Sequence, residues 1–235
     1  DAVWKAKKDA YAIYEYFVDG AEEKVMADYG GLSWRAFTDN FAQAVKGTAS
    51  GSSFEGMNTY GYVTYIESHD EQRVSYTASK EAEATVKAKK YRMPRLASAA
   101  AFMIMSPGSK MIWQFGELGN ETNTKKADGG NNTDPKPTSW ADLENEYCKG
   151  VHDSYKELLN IRKSNPDLFD PANRFNTNYF SWSVKDSNWD NGRFITLRNA
   201  AKTKELIVAM NPKINSKGTF SYKFDNPNGT YYINS

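Results

Sequence analysis

Three short segments of this 235-residue chain set a carboxylate where an apolar or aromatic run gives way to polar residues. Glu15 lies near the end of Tyr11–Phe17, His69 and Asp70 follow Gly61–Ser68 directly, and Gly116 and Glu117 follow Lys110–Phe115. A carboxyl that keeps its proton near neutral pH can protonate a leaving oxygen, and a second, ionised carboxylate can steady the positive charge that develops. An imidazole beside them can hydrogen-bond a substrate hydroxyl. Taken singly, each segment has an ordinary explanation: a solvated strand end, a loop turn before a capped helix, a tight turn. Together, on successive strands of one pattern, they put carboxylates around a single mouth.

That mouth needs strands that end on the same side. Tyr11–Phe17 and Lys110–Phe115 have the composition of buried strands, and Gly61–Ser68 is the clearest strand of the first half. Between them, Ala2–Lys8 reads as the end of an amphipathic helix and Ala21–Tyr29 as a helix stopped by Gly30-Gly31. Arg35–Phe41 reads as a short strand followed by a helical turn or two. Arg92–Met105, apolar and small, suits a helix buried against a sheet, with Pro94 tolerable in its first turn. A polar loop runs from Gly116 to about Trp140, and Glu144–Arg162 forms a long helix with Tyr147, Val151, Tyr155, Leu158 and Ile161 on one face.

Strand and helix thus alternate in the manner of parallel βαβ units, an α/β pattern. After Pro166 the period becomes two. Asn178–Lys185, Arg193–Arg198, Glu205–Met210, Thr219–Phe224 and Thr230–Ile233 read as short strands of an antiparallel all-β unit from about residue 172. In parallel α/β barrels, functional groups gather at the C-terminal ends of the strands.

Composition excludes several function classes. A net charge of +1 gives no field that would draw nucleic acid or an anionic membrane, and the Lys5–Lys8 run reads as the wet face of a helix. No apolar run approaches the roughly 18 residues of a membrane span. The single cysteine, Cys148, rules out an internal disulfide and a cysteine-based metal site. Aromatic residues make up 14% of the chain, a content that favours ligands with flat C–H faces such as sugars. Tyr179, Trp182 and Trp189 are candidate stacking platforms of a glycan-binding module, although their alternate spacing fits core packing better. The opening Asp1–Asp9 contains no Met and no signal peptide, which points to a start inside a longer protein.

The segment Tyr65-Ile66-Glu67-Ser68-His69-Asp70, with Arg73 after it, resembles the strand-seven motif of the α-amylase family of glycoside hydrolases: an aromatic residue, three variable residues, then His-Asp. Ala12–Gly30 is similar to that family's strand-five region, with Glu15 on its general acid, and Lys110–Gly119 is similar to its strand eight. Asp134–Trp140 and Leu158–Phe169 resemble the closing loop, the last barrel helix and the entry to the C-terminal β-domain. The likeness runs in order from about residue 2 to 170.

The resemblance implies an α/β fold: strands five to eight of a (β/α)8 TIM barrel over residues 1–171, then an incomplete β-sandwich over 172–235. It implies a bacterial retaining α-glycosidase acting on α-1,4-glucans such as starch and maltooligosaccharides, extracellular or at the cell surface. Catalytic roles fall on Glu15 as acid and base and on Asp70 as the support of an oxocarbenium-like transition state. Substrate contacts fall on His69 and on Arg73, the latter also suited to fixing a neighbouring carboxylate. Tyr14, Tyr16 and Phe17 would be the apolar wall that raises the pKa of Glu15. No metal or cofactor is implied for this chain, although the parent protein would hold structural calcium in its other half. The family's nucleophile, an aspartate upstream in an Arg-x-Asp setting, has no counterpart before Glu15, so the segment alone is expected to be inactive. Expected partners are an α-glucan and, through open sheet edges, the other half of the barrel or a second copy. The rival reading is a non-catalytic, amylase-like binding or assembly protein.

Overall fold

A computed structural model describes residues 2–15, 20–49, 54, 61–169, 180–183, 193–215, 222–224, 226 and 228–232. Helix α1 (Ala2–Ala6) leads to strand β1 (Ile13–Tyr14), helix α2 (Gly20–Asp28), strand β2 (Leu32–Ala36), helix α3 (Thr38–Lys46) and strand β3 (Tyr62–Tyr65). Helices α4 (Val74–Glu81), α5 (Ala84–Lys87) and α6 (Lys89–Ile104) follow, then strand β4 (Ser109–Met111) and helix α7 (Glu146–Ser164). Strands β5 (Phe180–Ser183), β6 (Arg193–Arg198) and β7 (Glu205–Met210) come last.

Two sheets result. In the first, β1, β2, β3 and β4 lie side by side in chain order, and every pair is parallel. Ile13 is in register with Leu32, Ser33 with Tyr62, and Val63 with Ser109. Parallel neighbours need a crossover between them, and α2, α3 and the α4–α6 run provide one each. The second sheet is antiparallel, order β5-β6-β7, with Trp182 opposite Ile195 and Ile195 opposite Val208.

Local chemistry explains most of the boundaries. Glu22 and Glu23 sit in the first turn of α2, where carboxylates favour the helix dipole. The helix stops where Gly30, at φ 91°, lets its own N–H and that of Gly31 return to Ala27 and Met26 carbonyls at 2.9 Å. Helix α3 turns Phe41, Ala42, Ala44 and Val45 inward and ends on Gly47 at φ 85°. A Cβ at Gly47 would come within 2.4 Å of the Ile214 side chain, so only glycine fits the seam between α3 and the chain after β7. Helix α7 starts on Asn145, whose side chain accepts from the N–H groups of Tyr147 and Cys148.

The core joins both sheets. Phe41 and Phe102 flank Phe54, with ring centroids 4.9 and 5.3 Å away, and tie α3 to α6. Val151 and Tyr155 of α7 pack into the same cluster, as do Ile195, Leu197 and Met210 from the antiparallel sheet. Two arginines lace it together through main-chain carbonyls. Arg95 donates to Val45 and Ala44 at 2.6 and 2.7 Å and also to Pro212. Arg162 closes the end of α6, donating to Ile104, Ser106 and Gly108 at 2.6, 3.0 and 2.7 Å, with its guanidinium 4.5 Å from the centre of the Phe169 ring. Burial lowers the pKa of Arg162 to about 10.

Several sequence expectations shift. Helix α6 begins at Lys89 rather than Arg92, which places Pro94 in its second turn instead of its first. The strand expected over Lys110–Phe115 covers only Ser109–Met111, because Phe115 takes a left-handed φ of 65° and starts a 3-10 turn over Gly116–Leu118. The strand-and-turn expected at 35–41 is a full strand, β2, and a nine-residue helix, α3. Residues 222–224 and 230–232 form no strand, and the rest of those two expected strands lies outside the described residues. So do Tyr179 and Trp189; of Trp182 only the backbone, in β5, is described. Among the described residues no helix is long and apolar enough to cross a membrane.

Two buried phenols give the fold a pH signature. Burial above all, then the nearby Glu67 and Glu117, raises the pKa of Tyr155 well above its ordinary value near 10. Tyr65 is pushed up to about 12, first by burial and next by Glu71. The folded state therefore keeps protons that the unfolded chain gives up above pH 10, so stability is whole below that pH and falls above it. Urea unfolding at pH 8 and pH 11 should show this loss. In Tyr155→Phe the slope above pH 10 should be shallower by about 1.4 kcal/mol per pH unit. Identical slopes would show that Tyr155 is not held protonated.

Candidate active site

Glu15 directly follows β1, and His69 and Asp70 stand a few residues past β3, both at the C-terminal ends of parallel strands. The structure brings these three together. One side-chain donor atom from each of Glu15, His69 and Asp70 lies within 4.8 Å of the other two. The His69 Nε2 to Asp70 Oδ2 distance is 3.6 Å. Glu15 and His69 are exposed and Asp70 is partly so. Carboxylates this close across a gap can act on one atom between them from two sides, and the imidazole adds a hydrogen-bonding group at the rim. Two carboxylates and an imidazole at this spacing would also suit a divalent cation.

Beneath the trio, the Glu67–Arg73 ion pair fixes the turn that carries His69 and Asp70. Both residues are almost wholly buried. Arg73 Nη1 donates to Glu67 Oε2 at 2.9 Å, and the Val74 N–H donates to Glu67 Oε1 at 2.7 Å. The Arg73 guanidinium also lies 3.6 Å from the centre of the Trp113 ring, just beyond β4. Burial raises the pKa of Glu67, while Arg73 and the Val74 N–H pull it down. Gly116 is packed so near that a Cβ there would come within 3.1 Å of Glu67 Oε2.

Arg73 thus faces Glu67 rather than the opening. It is 2% exposed, and the neighbouring carboxylate it fixes is that of Glu67. Glu117, the third strand-end carboxylate, does not join the trio either. Its Oε2 is buried with no hydrogen-bond partner among the described residues, and its charge acts on Glu67 and Tyr155. Of the apolar wall expected around Glu15, Tyr16 and Phe17 lie outside the described residues, and Glu15 itself is exposed. Tyr14 is placed by Gly31, since a Cβ there would come within 2.2 Å of the Tyr14 ring.

On the outer side, the polar loop after β4 folds back over the turn. A bridge pairs Lys125 with Asn131, and from it Lys125 Nζ donates to the Asp70 carbonyl while Asn131 Nδ2 donates to Asp70 Oδ1 at 3.2 Å. Thr124 Oγ1 donates to the Glu71 carbonyl at 2.9 Å, and the Thr124 N–H to Gln72 Oε1 at 3.0 Å. Within the turn, the Ser68 hydroxyl donates to Glu71, and the Asp70 N–H to Ser68 Oγ at 3.2 Å. Sequence reasoning did not single out Glu67, Glu71, Lys125 or Asn131. Only Glu67 left a signal, as an acidic residue just past a largely apolar strand and six positions before an arginine.

Scans of the sequence against protein families and against curated proteins find no match. Solved structures do resemble the fold. The maltotriose complex of PulA from Klebsiella pneumoniae superposes with a TM-score of 0.60 at 15% identity, over 90% of this chain and 35% of that one. Pullulanase type I from Bacillus subtilis complexed with maltose gives 0.59 at 16%, over 88% of this chain and 33% of that one. An Anoxybacillus α-amylase gives 0.57 at 13%, over 90% and 43%. At such identities the likeness is one of fold, and the chain spans about a third of the pullulanases it matches.

The buried pair makes a direct stability test. Glu67→Ala leaves the Arg73 charge enclosed without its counter-ion, a change expected to cost about 3–5 kcal/mol in chemical denaturation. Glu67→Met combined with Arg73→Met should recover most of that loss, because no charge is then left buried. A Glu67→Ala protein of unaltered stability would show that the pair does not hold the turn.

Proposed function

We propose that this chain is part of a retaining glycoside hydrolase that acts on α-glucans, and that Glu15, His69 and Asp70 form part of its active site. The observation that carries this is the convergence of the three side chains, within 4.8 Å, at the ends of β1 and β3. Support comes from the fold neighbours: pullulanases in complexes with maltotriose and with maltose, and an α-amylase. In this proposal β1–β4 are strands five to eight of a (β/α)8 barrel spanning residues 1–171, and β5–β7 begin an all-β domain over 172–235.

The chemistry follows from the placement. Glu15 protonates the glycosidic oxygen and later takes a proton from the incoming water. Asp70 holds ring hydroxyls and steadies the oxocarbenium-like charge, and His69 hydrogen-bonds a hydroxyl beside the cleaved bond. Asn131 and the Glu67–Arg73 pair act through Asp70 and its turn, as positioning groups. The attacking carboxylate comes from outside residues 1–235, so the isolated segment should hydrolyse nothing. The missing strands would add at β1 and β4, from the other half of the same enzyme or, in the isolated segment, from a second copy. Starch-type α-1,4 links are the proposed substrate. Cleavage of α-1,6 links uses the same groups, as does transfer to a sugar instead of water. An extracellular or surface location suits polymeric substrates.

Hydrolysis of starch and pullulan by the full-length protein, read as reducing sugar released, tests the proposal. Glu15→Gln should lower kcat by roughly 10²–10⁴-fold while the fold, followed by circular dichroism, stays intact. Asn131→Ala should lower kcat by about tenfold, the scale of losing one hydrogen bond to a charged group. A Glu15→Gln protein with undiminished hydrolysis would sink the assignment, and a full-length protein that cuts no glucan would favour a binding or assembly role.

A further inference from the structure

Two carboxylates and an imidazole that converge at the surface are a set of metal donors as well as an acid–base set. His69 Nε2 and Asp70 Oδ2 stand 3.6 Å apart, and one donor atom from each of Glu15, His69 and Asp70 lies within 4.8 Å of the other two. Two ligand atoms on one tetrahedral ion, each about 2.0–2.2 Å from it, are separated by roughly 3.3–3.6 Å. The His69–Asp70 pair already has that spacing. Glu15 is exposed, so rotation of its side chain can close the remaining gap.

The surroundings favour a cation as well. Asn131 Nδ2 donates to Asp70 Oδ1 at 3.2 Å, which steadies the carboxylate and leaves Oδ2, the oxygen beside His69, for a ligand. Ligating carboxylates are commonly held by an outer hydrogen bond of this kind. Next to Asp70 the surface opens into a hollow of about 370 Å³, whose charged lining is Asp39, Asp70 and Glu71 against Lys125. The Lys125 ammonium is itself engaged by the Asp70 carbonyl and by Asn131 Oδ1. Negative charge is in excess, so the hollow gathers cations and repels anions. The imidazole then selects among them. Calcium and magnesium take oxygen ligands, whereas a mixed nitrogen and oxygen set suits zinc and its neighbours. Three protein ligands at an exposed site leave a fourth position for water.

We propose that Glu15, His69 and Asp70 bind one divalent cation of the zinc type, and that the bound ion turns the site off. The binding stands on the geometry alone, and the inhibition rests on the function proposed above. An ion that takes a Glu15 oxygen holds that carboxylate ionised, which leaves Glu15 no proton for the glycosidic oxygen. It also occupies the space between the carboxylates. Zinc is thus an inhibitor of the reaction and not its cofactor.

Zinc chloride titrated calorimetrically into the full-length protein tests the binding, with magnesium chloride as the control ion. His69→Gln and Glu15→Gln should each weaken one zinc site by more than about tenfold, the lower end of the loss caused by groups that merely orient a ligand. Asn131→Ala should weaken the same site by about tenfold. The site read is the one lost in both ligand variants, so zinc held elsewhere in the protein does not enter. His69 and Glu15 are exposed, and circular dichroism of their variants should match the wild type.

Zinc binding that is equal in wild type and variants, no zinc binding, or magnesium bound as tightly at the same residues would overturn the site. The two proposals can fail separately. A full-length protein that hydrolyses no glucan, yet loses a zinc site in His69→Gln, keeps the metal site and loses the glycosidase assignment. Hydrolysis that Glu15→Gln abolishes but saturating zinc leaves untouched keeps the glycosidase assignment and overturns the inhibition.

Discussion

The arrangement at the mouth depends on a salt bridge that never reaches the surface. Glu67 and Arg73 lie six residues apart on either side of the His69-Asp70 turn, and both are buried. Removing two charges from water costs several kcal/mol each, and their attraction offsets this only when geometry and additional hydrogen bonds are right. Here the Val74 N–H takes the second Glu67 oxygen and the Trp113 ring lies against the guanidinium. Half-formed versions of the turn would leave a bare charge inside the protein. The end of β3, the start of α4 and the chain after β4 are therefore tied to one position, and His69 and Asp70 ride on the outside of that tie.

The outer face of the same turn is held by gentler means. Thr124, Lys125 and Asn131 contact it through hydrogen bonds, most of them partly buried and the Asn131–Asp70 one exposed, each individually modest. The turn thus has a rigid floor and a more adjustable rim. The core beneath has no such latitude, because Phe54 is wedged between Phe41 and Phe102 and the Arg95 fork spans α3, α6 and the segment after β7.

Much of this was legible in the sequence, but unevenly. The positions of Glu15 and His69-Asp70 could be read because a strand that ends in polar residues announces its own boundary, and strand ends are where side chains of a parallel sheet meet. Helices α2 and α7 were equally plain, one through its glycine stop and the other through its apolar face. The partners of the site residues were not. Nothing in residue type says that Arg73 turns inward to Glu67, or that Asn131 reaches back across 61 positions to Asp70, since long-range contacts leave no local period. The strand expected over Lys110–Phe115 is longer than β4 because the apolar run continues past Met111, while the backbone at Phe115, whose ring packs against Trp140 at 5.0 Å, turns into the left-handed region. The early start of α6 was missed because Lys89, Lys90 and Tyr91 are not uniformly apolar; Pro94 in its second turn forgoes one main-chain hydrogen bond, which the buried face of the helix outweighs.

Cys148 gives the molecule a built-in reporter. It is the sole thiol in the chain, lies fully buried at the start of α7, and burial raises its pKa so that the unreactive protonated form prevails. A chromogenic thiol reagent can therefore combine with the protein only in the brief intervals when α7 lifts from α6. The speed of colour development would clock that parting, one event per chain, with no label to introduce and no second sulfur to confuse the count.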